Sequence, residues 1–331
     1  MHKHLLTNLL FAVMVFSCVS TTRRTGTETA NRNNINTPVS SGFEDVDTTF
    51  IMQPDLPAGK TAVSLMEQPR TEDGAFVLIP GLYEADFKTY CLQPGTPGPS
   101  ANDAYFQAPL KGARKEIIQT ILTNSRTASH LEQKNVQLLL WSVVSRSDFN
   151  KLSPPVQSTA RQLLSPKQVF ELQGGVMGVV KTVARTLPSP GGQHSIRQLF
   201  DMGISSYDAY ERLAVVNTPS VMRRPDFKRD QWYKHREGYY VRYFPESYKQ
   251  TRIQVYVPEN VMDSAAHDTE DYVVFDPASW VVVPAYSNAQ RLGIGGPVLD
   301  IVRSVIHTIG KPKPAPPPKE SSKGKVPESN Q

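Results

Sequence analysis

Cysteine is almost missing from this chain, with two residues, Cys18 and Cys91, in 331. A large surplus of one charge is missing too: 36 Lys and Arg stand against 31 Asp and Glu, a net of +5, part of it in a basic tail. Such a mild bias favours anionic partners only slightly and is no sign of nucleic-acid binding. No His, Cys, Asp and Glu set has metal-ligand spacing, so no metal centre is expected. The Gly-rich stretch Gly174 to Gly178 lacks the following Lys-Ser/Thr that would hold a phosphate. No internal repeat of 20–50 residues is apparent, which argues against a solenoid.

What is present starts with Lys3, an apolar stretch from Leu5 to Phe16, and then Ser17-Cys18. This order describes a secretory signal, and the stretch falls short of the roughly 20 residues of a membrane span. Val15-Phe16-Ser17-Cys18 resembles the bacterial lipobox, in which the cysteine becomes the lipidated first residue of the mature protein. The expectation is therefore a signal over residues 1–17 and a lipid anchor at Cys18. A disordered tether over 18–45 follows, rich in Thr, Asn and Arg and poor in apolar residues. The other end, 311–331, is Pro, Lys, Ser and Glu and reads as a disordered tail. Lipidation would leave Cys91 an unpaired thiol outside the reducing cytosol, where odd cysteines mark intermolecular pairing or chemistry.

Between the ends, 46–222 reads as a mixed strand and helix domain and 223–310 as a β-rich region. Short β-like runs at 61–65 and 75–79 precede a Pro-Gly loop after Cys91. Apolar residues at helical spacing predict helices over 113–124 and 131–146. Ser153-Pro154-Pro155 and Ser165-Pro166-Lys167-Gln168 open two more, the second in capping-box style with Gly174 as its stop. One or two further helices are expected over 196–216. Runs at 238–244, 252–257, 271–275 and 279–283 are aromatic and β-branched. The fold class predicted is α+β, a helical domain preceded by short strands and followed by a small antiparallel β region.

Tyr90-Cys91-Leu92 sits at the end of a predicted strand, and Gln137 lies in the apolar helix Val136-Gln137-Leu138-Leu139-Leu140-Trp141. A glutamine in so apolar a stripe needs hydrogen-bond partners or costs about 1–3 kcal/mol per unsatisfied group. Both residues could be ordinary core, the amide satisfied by backbone and the thiol a small hydrophobe. Alternatively they meet: a thiolate attacking the carboxamide would release ammonia and leave an internal thioester, shielded by Tyr90 and Trp141. Aromatic-Cys-apolar followed by apolar-Gln-x-x-apolar resembles the paired motifs of bacterial thioester domains, surface adhesin modules that attach covalently to host proteins. The resemblance covers about residues 82–146 and implies an adhesive role with no cofactor. A cysteine-dependent hydrolase or transferase is the competing chemistry and needs an imidazole from His130, His194, His235, His267 or His307.

The densest basic run is Arg223-Arg224-Pro225-Asp226-Phe227-Lys228-Arg229-Asp230-Gln231-Trp232-Tyr233-Lys234-His235-Arg236. Arg223, Arg224, Lys228, Arg229 and Trp232 could grip an anionic or sugar-containing polymer by charge and stacking. Equally, the stretch could be a solvated linker anchored by Trp232 and Tyr233, since Asp226 and Asp230 interrupt it. The function expected is an exported, lipid-anchored envelope protein that binds a protein or glycan at the cell surface. A structural or assembly lipoprotein without covalent chemistry is the alternative. Oligomeric state is left open.

Overall fold

The computed structural model describes residues 37–174, 191–221, 226–261 and 272–298. The signal, Cys18, most of the tether, Arg223, Arg224, His267, His307 and the tail lie outside them. In chain order the strands are β1 (Val63–Ser64), β2 (Phe76–Leu78), β3 (Gly81–Cys91), β4 (Thr96–Pro97) and β5 (Tyr105–Pro109). Among the described residues six helices follow: α1 (Lys115–Ser125), α2 (Gln133–Ser145), α3 (Pro154–Leu163), α4 (Pro166–Gln173), α5 (Gly191–Asp201) and α6 (Tyr207–Ala214). Then come β6 (Val215–Val216), β7 (Tyr233–Lys234), β8 (Tyr240–Pro245), β9 (Gln250–Val257), β10 (Val273–Phe275), β11 (Trp280–Pro284) and β12 (Leu292–Pro297).

The helix signals read from the sequence are at work. Ser165 Oγ accepts from Gln168 N at 3.3 Å while Gln168 Oε1 accepts from Ser165 N at 3.0 Å. Gly174 closes α4 in the left-handed region at φ 118°. Pro154 and Pro155 occupy the first turn of α3.

The fold class differs from the one expected. There is no small β region set after a helical domain. One eight-stranded sheet runs β5-β11-β12-β3-β9-β8-β7, with β1 paired to β3. Every pairing in it is antiparallel except β1 with β3. Strands from before the helices lie beside strands from after them: β3 takes β9 on one side and β12 on the other. The sheet curls towards closure, and Tyr243 of β8 donates to Gln107 Oε1 of β5 at 3.2 Å. The separation along the sequence is therefore a feature of chain order, not of space. Non-local strand pairing overrides it, because an eleven-residue β3 with apolar flanks buries most when sandwiched.

One strand has a weak sequence signal. β12 is Leu-Gly-Ile-Gly-Gly-Pro, poor in strand formers. Its glycines are there for close approach. A Cβ on Gly295 would stand 2.6 Å from the Tyr90 ring and 2.9 Å from Ser125 Oγ, and one on Gly293 would stand 2.7 Å from Leu122. Their absence lets α1 press onto the sheet. Helix α2 is the other centrepiece, with every residue from Val136 to Ser145 buried, against α3, α5 and the end of β3.

Candidate functional site

Strand β3 outruns its neighbour. Pairing with β9 ends at Lys88↔Gln250, and Thr89 N still donates to Lys249 O at 2.9 Å, but the chain of β9 then turns away. On the other side β12 continues, with Leu92 N donating to Arg291 O at 2.9 Å. Alternation of the ladder thus leaves the N–H and C=O of Cys91 facing the side that β9 has vacated. Buried backbone groups without partners are costly.

Helix α2 fills that gap with side-chain amides. Cys91 N donates to Gln137 Oε1 at 2.8 Å, and Gln137 Nε2 donates to Cys91 O at 3.0 Å. One turn earlier, Gln133 Nε2 donates to Thr89 O at 3.1 Å and to Lys249 O at 2.7 Å. Four helical residues rise about 6 Å and two strand residues about 6.7 Å, so the spacings match. The two glutamines stand in for the missing strand, and the carboxamide of Gln137 lies directly on the Cys91 backbone.

Cys91 is fully buried and free. Burial pushes its thiol up to about 12, partly offset by the Trp141 indole and the Gln93 backbone N–H, both directed at the sulfur. Trp141 Nε1 makes no hydrogen bond of ordinary geometry, so it acts on the sulfur as a dipole and remains a buried donor without an acceptor. Trp141 is fully buried and stacks on Tyr207 with centroids 5.8 Å apart. It also packs against Tyr248 at 6.3 Å. Tyr90, one residue before Cys91, points to the opposite face of β3, where its ring meets Gly295 and Ser125. The shield over the sulfur is Trp141 with Tyr207 and Tyr248, while Tyr90 supports the helix α1 side.

Outside this stack the polar network continues to the surface. Tyr207 and Tyr248 hydroxyls are 2.8 Å apart, Tyr248 donates to Glu211, and Glu211 pairs with Lys249 at 2.8 Å. Burial pushes the Glu211 carboxyl up, but Lys249 and Tyr248 outweigh it and hold the group below its ordinary value. Tyr248 and Lys249 come from the tip of the β8–β9 hairpin, and Tyr207 and Glu211 from α6. No local pattern joins these residues to Cys91. Gln133 was within reach of it, as the polar residue one helical turn before Gln137.

The histidines described are engaged elsewhere. His130 meets Gln162 at 3.0 Å, and His194 meets Gln198 at 3.2 Å. His235 stacks on Tyr239 with centroids 4.4 Å apart. None is among the groups acting on the Cys91 sulfur. Among the described residues no group of three His, Cys, Asp or Glu could hold a metal ion.

Of the basic run, Lys228 is exposed and Arg229 donates to Pro245 O at 2.9 Å. Trp232 is 2% exposed in a small cluster with Leu82 and Tyr256, and Arg242 covers its ring at 4.2 Å. Trp232 is therefore an anchor of the sheet and offers no open face for stacking a ligand. The chain matches no family model, no curated protein sequence and no solved structure.

Proposed function

We propose that this chain is an exported, lipid-anchored envelope protein that binds a protein or glycan at the cell surface through a thioester between Cys91 and Gln137. The observation that carries the reading is the double hydrogen bond that seats the Gln137 carboxamide on the Cys91 backbone in a dry core. In bond formation Cys91 Sγ attacks Gln137 Cδ. The Cδ–Sγ bond forms, the Cδ–Nε2 bond breaks, and nitrogen leaves as ammonia with the thiol proton. The Cys91 N–H already polarises the carbonyl that would carry negative charge in the intermediate. Trp141 Nε1–H is a second buried donor, directed at the Cys91 sulfur. Exclusion of water would protect the product from hydrolysis.

A second reading is favoured by the same two hydrogen bonds. They give each polar atom of the amide a partner, as a purely structural splice between α2 and β3 would require, in a lipoprotein without covalent chemistry. Intact mass of the Cys18→Ala protein decides between the two. The thioester lowers the mass by about 17 Da through loss of ammonia, and Cys91→Ala restores it. Full mass with a thiol that is alkylated on unfolding refutes the thioester.

A further inference from the structure

The network that leads from Trp141 to the surface has a fixed polarity. Glu211 is ionised and can only accept, so the proton between it and Tyr248 belongs to Tyr248. Tyr248 has one hydroxyl proton and has given it to Glu211. The proton in the 2.8 Å contact with Tyr207 therefore belongs to Tyr207. Both phenols donate outwards, and the lone pairs of Tyr207 form the inner, accepting end. Tyr207 is also the phenol of the two that senses charge on Cys91, and its ring stacks on Trp141. The outer end is wet, with the Glu211 side chain 30% exposed beside Lys249. Asp208 lies on the same helix and adds a second negative charge near Tyr207.

We infer that Tyr207, Tyr248 and Glu211 form a proton relay that serves the opening of the thioester by an amine. The inference rests on the thioester reading. An amine attacking Gln137 Cδ forms a C–N bond and breaks the Cδ–Sγ bond; its nitrogen must lose one proton, and the departing sulfur must gain one. The thiol in this pocket binds its proton tightly, so a bare thiolate is a poor leaving group there. The relay takes the nitrogen's proton at the Tyr207 oxygen while Tyr207's own proton passes to Tyr248 and Tyr248's passes to Glu211. The reverse shift returns a proton to sulfur, and no other reactant is needed. Tyr207 is the inner member, stacked on Trp141 and within range of charge on Cys91, and Tyr248 and Glu211 act through it.

The test follows loss of the thioester by mass as methylamine is added to full-length Cys18→Ala protein, with Glu211→Gln and Tyr248→Phe as variants. Glu211→Gln keeps an acceptor for Tyr248 but cannot take up a proton, and Tyr248→Phe cuts the chain. Both should retain the deficit of about 17 Da and react at least ~100-fold more slowly at pH 7, the scale of positioned acid–base help. With the concentration of unprotonated methylamine held constant, their rates should rise about tenfold per pH unit, with hydroxide as the remaining base, while the parent protein's profile is flatter. Rates within about twofold of the parent overturn the relay. So does slowing with an unchanged pH profile, which marks a merely structural role. Folded variants without the deficit also overturn it, since the cluster would then be needed to build the bond. A parent protein that itself lacks the deficit refutes the thioester reading, a different and separable result.

Discussion

Replacing Gln137 by glutamate tests how the carboxamide holds β3, independently of any covalent chemistry. The comparison is made in a Cys91→Ala background, so that no thioester contributes to stability. A protonated glutamate can reproduce both bonds, accepting from the backbone N–H of residue 91 and donating to its carbonyl, now at 2.8 and 3.0 Å from the amide. An ionised one cannot, because its second oxygen would face that carbonyl oxygen in a site only 1% exposed. Its folded-state pKa is thus raised above the unfolded value of about 4.3. A raised carboxyl pKa leaves stability intact below the unfolded pKa and removes it as pH rises towards the folded pKa. Holding the group protonated up to pH 7 costs close to 1.4 kcal/mol per pH unit, so about 3.7 kcal/mol if it stays neutral throughout. Urea unfolding at pH 4 and pH 7 measures it: near-parity with Cys91→Ala at pH 4 and a loss of about 3–4 kcal/mol at pH 7 are expected. Equal losses at both pH values would refute the claim that the amide is read by backbone on both its polar atoms.

Two further outcomes follow from packing and burial. Gly295→Ala should destabilise by about 1–3 kcal/mol in thermal or urea unfolding, since its Cβ would overlap Tyr90 and Ser125; an unchanged midpoint would mean that α1 shifts freely. Burial, with a smaller contribution from Arg236, lowers His235 to about 4, so the folded protein keeps it neutral where the unfolded chain is protonated. Stability should therefore fall as pH drops from about 6.5 to 4, by up to about 3 kcal/mol, and His235→Phe should flatten that dependence. A slope identical in the variant would assign the acid sensitivity to other groups.

The helices were legible because their signals are local. Caps at Ser165 and Gly174, prolines at 154 and 155, and the stripe of α2 all act within a few residues. The sheet was not. Nothing near Gly81–Cys91 says that its neighbours arrive from 250–257 and 292–297, and β12 hides behind glycines whose role is to let α1 approach. For the site, the pairing of Cys91 with Gln137 was readable from an amide placed in an apolar stripe, since such a group must find partners. The manner of pairing was not, because it depends on where β9 stops. Tyr90 was assigned to the shield by adjacency, and strand alternation sends it to the other face. Tyr207 and Tyr248 were invisible because α6 and a hairpin tip reach the site only in the folded chain.

Forty-six positions separate Cys91 from Gln137, with β5 and α1 between them. A covalent link there closes that stretch into a ring, and ring closure of such length withholds entropy from the unfolded chain worth about 4 kcal/mol. Capture of an amine would open the ring as it made the new attachment. The proposed adhesin would then hold its target by a bond that does not dissociate, while its own resistance to unfolding fell by the amount the ring had supplied.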